Sequence, residues 1–262
     1  MDLEARHLNR LLEGKTIGKR IYVLGEVDST NRYAAELARE GAEEGEVVIA
    51  DSQSRGRGRL GRTWQSPPGR NIYVSVILRP SIRPADSPLI TLTAGVAVAE
   101  ALSAYCADAV TLKWPNDVMI RGKKICGMLA EMKLRGAEID FIVVGIGINI
   151  NMKKADFDEP FKTATSLRIE LDRDVSRADV TVKLLGSFEK WYGVLMKEGF
   201  APVREKWISL SGILGREIHV HSGDKIEKGR AAGFDEDGAL LLLDEAGRTR
   251  RIISGDVVLA EG

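Results

Sequence analysis

Arg55-Gly56-Arg57-Gly58-Arg59-Leu60-Gly61-Arg62-Thr63-Trp64 sets four arginines and three glycines inside eight residues and follows them with a tryptophan. Glycine lets a backbone approach a ligand closely. Each guanidinium is a planar fork of donors that matches carboxylate and phosphate oxygens. Four like charges packed this tightly repel one another, so the segment reads as a loop that is mobile when empty and orders around a polyanion. The letters also satisfy G-x-G-x-x-G through Gly56, Gly58 and Gly61, but a dinucleotide fingerprint needs those glycines to open a helix after a strand. Thr63-Trp64-Gln65-Ser66-Pro67-Pro68-Gly69 follows instead, and Pro-Pro-Gly is incompatible with a helix there.

A second cluster is Lys113-Trp114-Pro115-Asn116-Asp117, where a strand brings a lysine, an amide and a carboxylate to one end and stops at proline. Lys124 follows at the start of the next strand. Strand ends of α/β sheets are common places for ligand contacts, although a plain surface lysine–aspartate pair would leave the same letters. Gly145-Ile146-Gly147-Ile148-Asn149-Ile150-Asn151 closes an apolar strand. Its glycines can admit a flat ring against the backbone, and the Asn149 amide offers the donor and acceptor that an adenine edge needs; asparagines in a turn are the plainer reading. Gly14-Lys15-Thr16 lacks the leading glycine of a phosphate loop, since position 9 is Asn9. His7, His219 and His221 support no Ser-His-Asp grouping.

Alternating and helical apolar patterns supply the elements that must hold these segments. Strands are expected at 21–24, 46–50, 71–79, 110–114, 124–133 and 139–150, the last two as a hairpin. Asp28-Ser29-Thr30-Asn31 offers N-capping side chains for a helix carrying Tyr33, Ala34, Leu37 and Ala38. An Ala-rich helix is expected over 87–106 and a helical stretch over 174–211. After Gly212 the chain turns to short strands at 217–221, 228–234, 239–244 and 248–253, the pattern of a small β-barrel. The main body mixes helices and strands, so the fold class is α/β (α+β-like) with a mixed sheet, divided into 1–211 and 212–262.

The 262 residues carry 38 basic and 38 acidic side chains, so no net positive field points to nucleic acid. No apolar run reaches the 18 residues of a membrane span, and the first residues show no signal-peptide pattern. Cys106 and Cys126 have no metal-site spacing and read as small buried hydrophobes of a reducing cytoplasm.

Taken jointly, Asp28-Ser29-Thr30-Asn31, Gln53 with the Arg-Gly segment, Lys113-Trp114-Pro115-Asn116-Asp117, Lys123-Lys124-Ile125-Cys126-Gly127 and Gly145 to Asn151 resemble the biotin protein ligases in order and spacing, from about residue 20 onward. The resemblance implies a mixed-sheet catalytic domain of the biotin/lipoate ligase type with a small SH3-like barrel after Gly212. It implies that biotin and ATP, with Mg²⁺, form biotinyl-5′-AMP, and that a lysine of a biotin carboxyl carrier protein then takes the biotin. No resident metal site is expected. It implies that Ser29, Thr30 and Gln53 hold the ureido ring, with Asn31 and Gly127 in the matching motifs. Arg57, Gly58 and Arg59 would wrap biotin and adenylate, Arg59 lying on the carboxylate and phosphate oxygens. Trp64 would cover the adenine and Asn149 read it. Lys124 would contact the biotin carboxylate and the α-phosphate. Asp117 would orient or deprotonate the acceptor lysine, with Lys113 and Asn116 in support. Only about 20 residues precede the first strand, which implies the short form without a DNA-binding domain, working in the cytoplasm as a homodimer. Leu60 stands where some relatives carry another arginine. A lipoate or octanoate ligase of related fold is the alternative, but it lacks this Arg-Gly loop.

Overall fold

The structure is a computed structural model that describes residues 3, 8, 10–12, 14–159 and 163–260; His7 and Asn9 lie outside them. Seven strands, β1 (Ile21–Val27), β2 (Val47–Gln53), β3 (Ile72–Leu78), β4 (Val110–Lys113), β5 (Asp117–Ile120), β6 (Lys123–Arg135) and β7 (Glu138–Ile148), form one mixed sheet in the order β1-β2-β3-β7-β6-β5-β4. Only β1 and β2 run parallel, joined by helix α1 (Thr30–Arg39). The remaining neighbours are antiparallel.

The two faces of this sheet do different work. One is covered by α2 (Pro88–Cys106), α4 (Arg177–Glu198) and α5 (Ala201–Leu210), which with the sheet build the large core. The other carries α1, whose Ala34 and Ala38 pack on Val48, Ile77, Phe141 and Val143, and the functional cleft. β3 lies between both layers, so all seven of its residues are buried where the sequence suggested alternation. An apolar strand covered on both faces has no polar side to show.

Other departures have local causes. Ser29 occupies the N-cap of α1, yet its side chain makes no capping hydrogen bond. The helical stretch expected over 174–211 is made of two helices, separated at Gly199, whose φ is +79°. Strand β5 and helix α3 (Leu167–Leu171) were not anticipated, being too short to show a period. By length and composition α2 could cross a membrane, contrary to the count of apolar runs; most of it is buried in the core. Cys126 is buried and Cys106 partly exposed; burial pushes both thiols up.

After Gly212 come β8 (Glu217–Ser222), β9 (Lys225–Phe234), β10 (Leu240–Leu243), β11 (Thr249–Ile252) and β12 (Asp256–Leu259), an antiparallel sheet in the order β11-β10-β9-β8-β12 of the SH3-like kind. The fifth strand was not foreseen. Asp256-Val257-Val258-Leu259 follows Ser254-Gly255 with no polar–apolar alternation to mark a further strand. This sheet is anchored to the larger one by Trp114 Nε1, which donates to Gly238 O at 3.1 Å. Trp207 adds a second anchor through an edge-on contact with Phe234 at 5.5 Å.

Candidate active site

On the α1 face the central strands present a floor of small groups. Register pairs Gly127 with Gly147 and Leu129 with Gly145, while Tyr73 and Ser75 of β3 sit opposite Gly147 and Gly145. The glycines are required by close approach. A Cβ on Gly145 would stand 2.1 Å from Asn31 Oδ1, and one on Gly147 would stand 2.4 Å from Trp64 Nε1. Helix α1 and the tryptophan therefore lie directly on the strand backbone. Above this floor is a cleft walled by helix α1, the central strands and the Arg-Gly segment.

One end of the cleft is neutral. Gln53 Oε1 accepts from Thr30 N at 2.9 Å, and its Nε2 donates to Ser66 Oγ at 3.0 Å. Ser29, Thr30 and Asn31 are all at least 95% buried. The other end is charged. Lys124 Nζ lies 2.6 Å from Asp117 Oδ1 and 5.6 Å from the Trp64 ring centroid. The ion pair with the lysine occupies the buried Asp117 Oδ1, whereas the buried Trp64 Nε1 makes no hydrogen bond. A buried donor such as Trp64 Nε1, without a hydrogen-bond partner beside the cleft, is a place where a substrate can supply what the protein does not.

The Arg-Gly segment folds over the cleft as a tight hairpin. Gly58 N donates to Arg62 O at 2.7 Å and Trp64 N to Gly56 O at 2.9 Å, with Leu60 and Gly61 at positive φ in the turn. The expected mutual repulsion is offset, because three of its arginines are paired with the protein. Arg57 meets Glu131 at 2.7 Å, Arg59 donates to Asn116 Oδ1 at 2.9 Å, and Arg62 pairs with Asp256, which Arg59 also approaches at 3.6 Å. Asp256 belongs to β12, so the small sheet closes one side of the cleft. Neither Glu131 nor Asp256 was foreseen, and no spacing in the sequence ties them to the loop.

Ser29, Thr30, Asn31, Gln53, Arg57, Gly58, Arg59, Trp64, Asn116, Asp117, Lys124, Gly127 and Asn149 all line this one cleft. Lys113 does not. It sits opposite Asp117 in register, but on β4, the outermost strand, one strand further from the cleft. Asn149 lines the cleft with its amide already engaged: Nδ2 donates to Thr165 O at 3.1 Å and Oδ1 accepts from Asn71 at 3.4 Å. The Asn31 amide is likewise taken up by protein partners, Leu129 O and Glu131. Both asparagines shape the cleft wall.

One prediction arises from the floor. Gly147→Ala forces the Trp64 indole off the strand, an overpacking that costs about 1–3 kcal/mol. Thermal melting and the intrinsic fluorescence of Trp64 are expected to shift together; a variant melting like the parent, with an unchanged spectrum, would exclude this packing.

Comparison with known proteins agrees with this geometry. Residues 24–149 match the model of the biotin/lipoate A/B protein ligase family, and residues 213–260 match that of the biotin protein ligase C-terminal domain. The bifunctional ligase/repressor BirA of Bacillus spizizenii is 37% identical over 95% of this chain and 76% of its own. The biotin–[acetyl-CoA-carboxylase] ligase of Paracoccus denitrificans is 35% identical over 86% of this chain and 95% of its own. Among solved structures, the biotin protein ligase of Aquifex aeolicus in complex with biotin and ATP superposes with a TM-score of 0.79 at 34% identity, covering 93% of this chain and all of that one. By fold, cleft and sequence alike, the chain belongs to the biotin protein ligase family.

Proposed function

We infer that this protein activates biotin with ATP and passes it to a lysine on the biotin carrier of a carboxylase. The observation that carries the reading is the polarity of this cleft, with a neutral hydrogen-bonding cradle on one side and a lysine–arginine cluster on the other. Biotin has the same polarity, a neutral ureido ring at one end and a carboxylate at the other. The relatives named above are biotin ligases, which sets the lipoate alternative aside.

In the first step an oxygen of the biotin carboxylate attacks the α-phosphorus of ATP. The bond from that phosphorus to the bridging oxygen breaks, and pyrophosphate leaves with the electron pair. Two anions must meet, and Lys124 and Arg59 stabilise the charge that builds between them; groups held in place in a partly dry site do this better than water. Mg²⁺ enters with ATP as part of the substrate. Ser29, Thr30 and Gln53 hold the ureido ring, and Trp64 lies over the nucleotide. In the second step the lysine amine attacks the acyl carbonyl, an amide forms, and AMP leaves. Asp117 accepts or orients the amine proton; its place in the cleft beside Lys124 supports that assignment. The hairpin keeps water from the mixed anhydride. We assign residues 212–262 to the same catalytic unit, on the strength of Asp256. The enzyme is read as cytoplasmic, in keeping with its unpaired cysteines, and as a homodimer without a DNA partner.

Mass spectrometry after mixing protein, biotin and Mg·ATP without acceptor tests this. A retained species with the mass of biotinyl-5′-AMP is expected, and none with lipoate in place of biotin. Arg59→Ala is expected to keep the fold and release the adenylate at least about tenfold faster, since charge-assisted hydrogen bonds contribute about 1.5–3 kcal/mol. Normal retention through a desalting column would remove Arg59 from this role.

A further inference from the structure

Both ends of the arginine hairpin connect to the neutral cradle through one continuous set of hydrogen bonds. At its far end, Ser66 Oγ donates to Trp64 O at 3.0 Å and accepts from Gln53, which in turn accepts from Thr30 N. At the near end the link runs through a residue with no assigned part in the reaction. Glu131 Oε2 accepts from Arg57 Nη2 at 2.7 Å and from Asn31 Nδ2 at 2.8 Å.

The orientation of the Asn31 amide follows from its partners. Leu129 O, 3.1 Å away, can only accept, so Nδ2 faces it and Glu131, and Oδ1 faces Ser75 Oγ at 2.7 Å. Ser75 spends its one proton on that oxygen. The Thr30 hydroxyl, 2.8 Å from Ser75 Oγ and 3.1 Å from Gln53 Oε1, has one proton to share between these two acceptors. Arg57, Glu131, Asn31, Ser75 and Thr30 thus form one ordered chain from the hairpin to the cradle. Glu131 follows Leu129 by two residues on β6 and shares its face, at the rim where the hairpin closes. The Arg57 and Glu131 side chains are 42% and 39% exposed. A pair so exposed adds little to folding, so its consequence lies in where the hairpin sits.

We propose that Glu131 is a positioning residue that couples occupancy of the cradle to closure of the arginine hairpin, acting through Arg57. The coupling rests on the biotin ligase reading, whereas the latch between Glu131 and Arg57 does not. Glu131→Gln is the decisive variant. It keeps an acceptor for Asn31, so the wall of the cleft stays in place, and it removes the charge that holds Arg57.

Trypsin cleavage within the hairpin of the ligand-free protein is expected to be about fivefold faster in Glu131→Gln, with melting unchanged. Release of biotinyl-5′-AMP is expected to be faster by a similar factor and the KM for biotin higher, with kcat at saturation preserved. In an Arg57→Ala background Glu131→Gln should change none of these, and Glu131→Asp should restore part of the wild-type behaviour. Equal trypsin and release rates in the parent and Glu131→Gln would overturn the proposal. So would an effect that persists in full without Arg57, which would place the role in Asn31. If the parent forms no adenylate, the biotin reading fails, and the trypsin arm still decides the latch.

Discussion

Lys124→Ala is expected to slow pyrophosphate release in the first half-reaction by about 10²–10³, the loss that follows removal of one preorganised group from a developing negative charge. The lysine is held where that charge appears. Its strand start is fixed by Thr165 N donating to Lys124 O at 2.9 Å, its ammonium faces Asp117, and it passes over the Trp64 ring. Gly127 leaves room for it, since a Cβ there would stand 3.3 Å from Nζ. Biotin affinity should change only a few-fold, because the ureido end of the cleft lies with Ser29, Thr30 and Gln53. Lys124→Arg should restore only part of the rate. A guanidinium keeps the charge, but its planar fork does not fit a slot shaped for a compact ammonium. Single-turnover adenylation at the wild-type rate in Lys124→Ala would rule out this role, and an equal loss of biotin binding would turn it into a packing effect.

Trp207→Ala should cost about 3–5 kcal/mol, the range for deleting a buried aromatic side chain. The indole is 1% exposed, donates to Leu92 O at 2.7 Å, presses on Gly95 of α2 and meets Phe234 of β9 edge-on. Its loss leaves a cavity at the seam between the helical layer and the small sheet and removes the added hydrogen bond to Leu92 O. The midpoint of thermal unfolding should fall by roughly 10 °C, given about 2–4 °C per kcal/mol for chains of this size. Trp207→Phe should recover part of the packing and none of the hydrogen bond. Below the transition, adenylation should survive better than stability does, because Trp207 lies outside the cleft. A melting point matching the parent's would show that the seam does not depend on this side chain.

Much of the cleft was legible before any fold was known, and for a physical reason. The Arg-Gly segment, the Lys113–Asp117 segment and the glycine–asparagine strand end are local: their chemistry follows from residue types a few positions apart. The long apolar strands and α2 were legible for the same reason, because burial of one element leaves its own period in the chain. β5, α3 and β12 left no such period.

The sequence by itself determined the chemical inventory of this protein, with cations and glycines in one loop, a neutral trio beside a glutamine, and a lysine and a carboxylate near two strand ends. Tertiary structure alone decided which groups meet and which remain free. Arg57 finds Glu131 across 74 residues and Arg62 finds Asp256 across 194; contacts at such separations leave no periodicity to read. It also placed Lys113 one strand beyond the cleft, committed the amides of Asn31 and Asn149 to the protein, paired Asp117 with Lys124, and left Trp64 Nε1 without a hydrogen bond. Donor and acceptor capacity belongs to the residue type, whereas its satisfaction depends on neighbours that only the packed sheet, helices and small domain bring within reach.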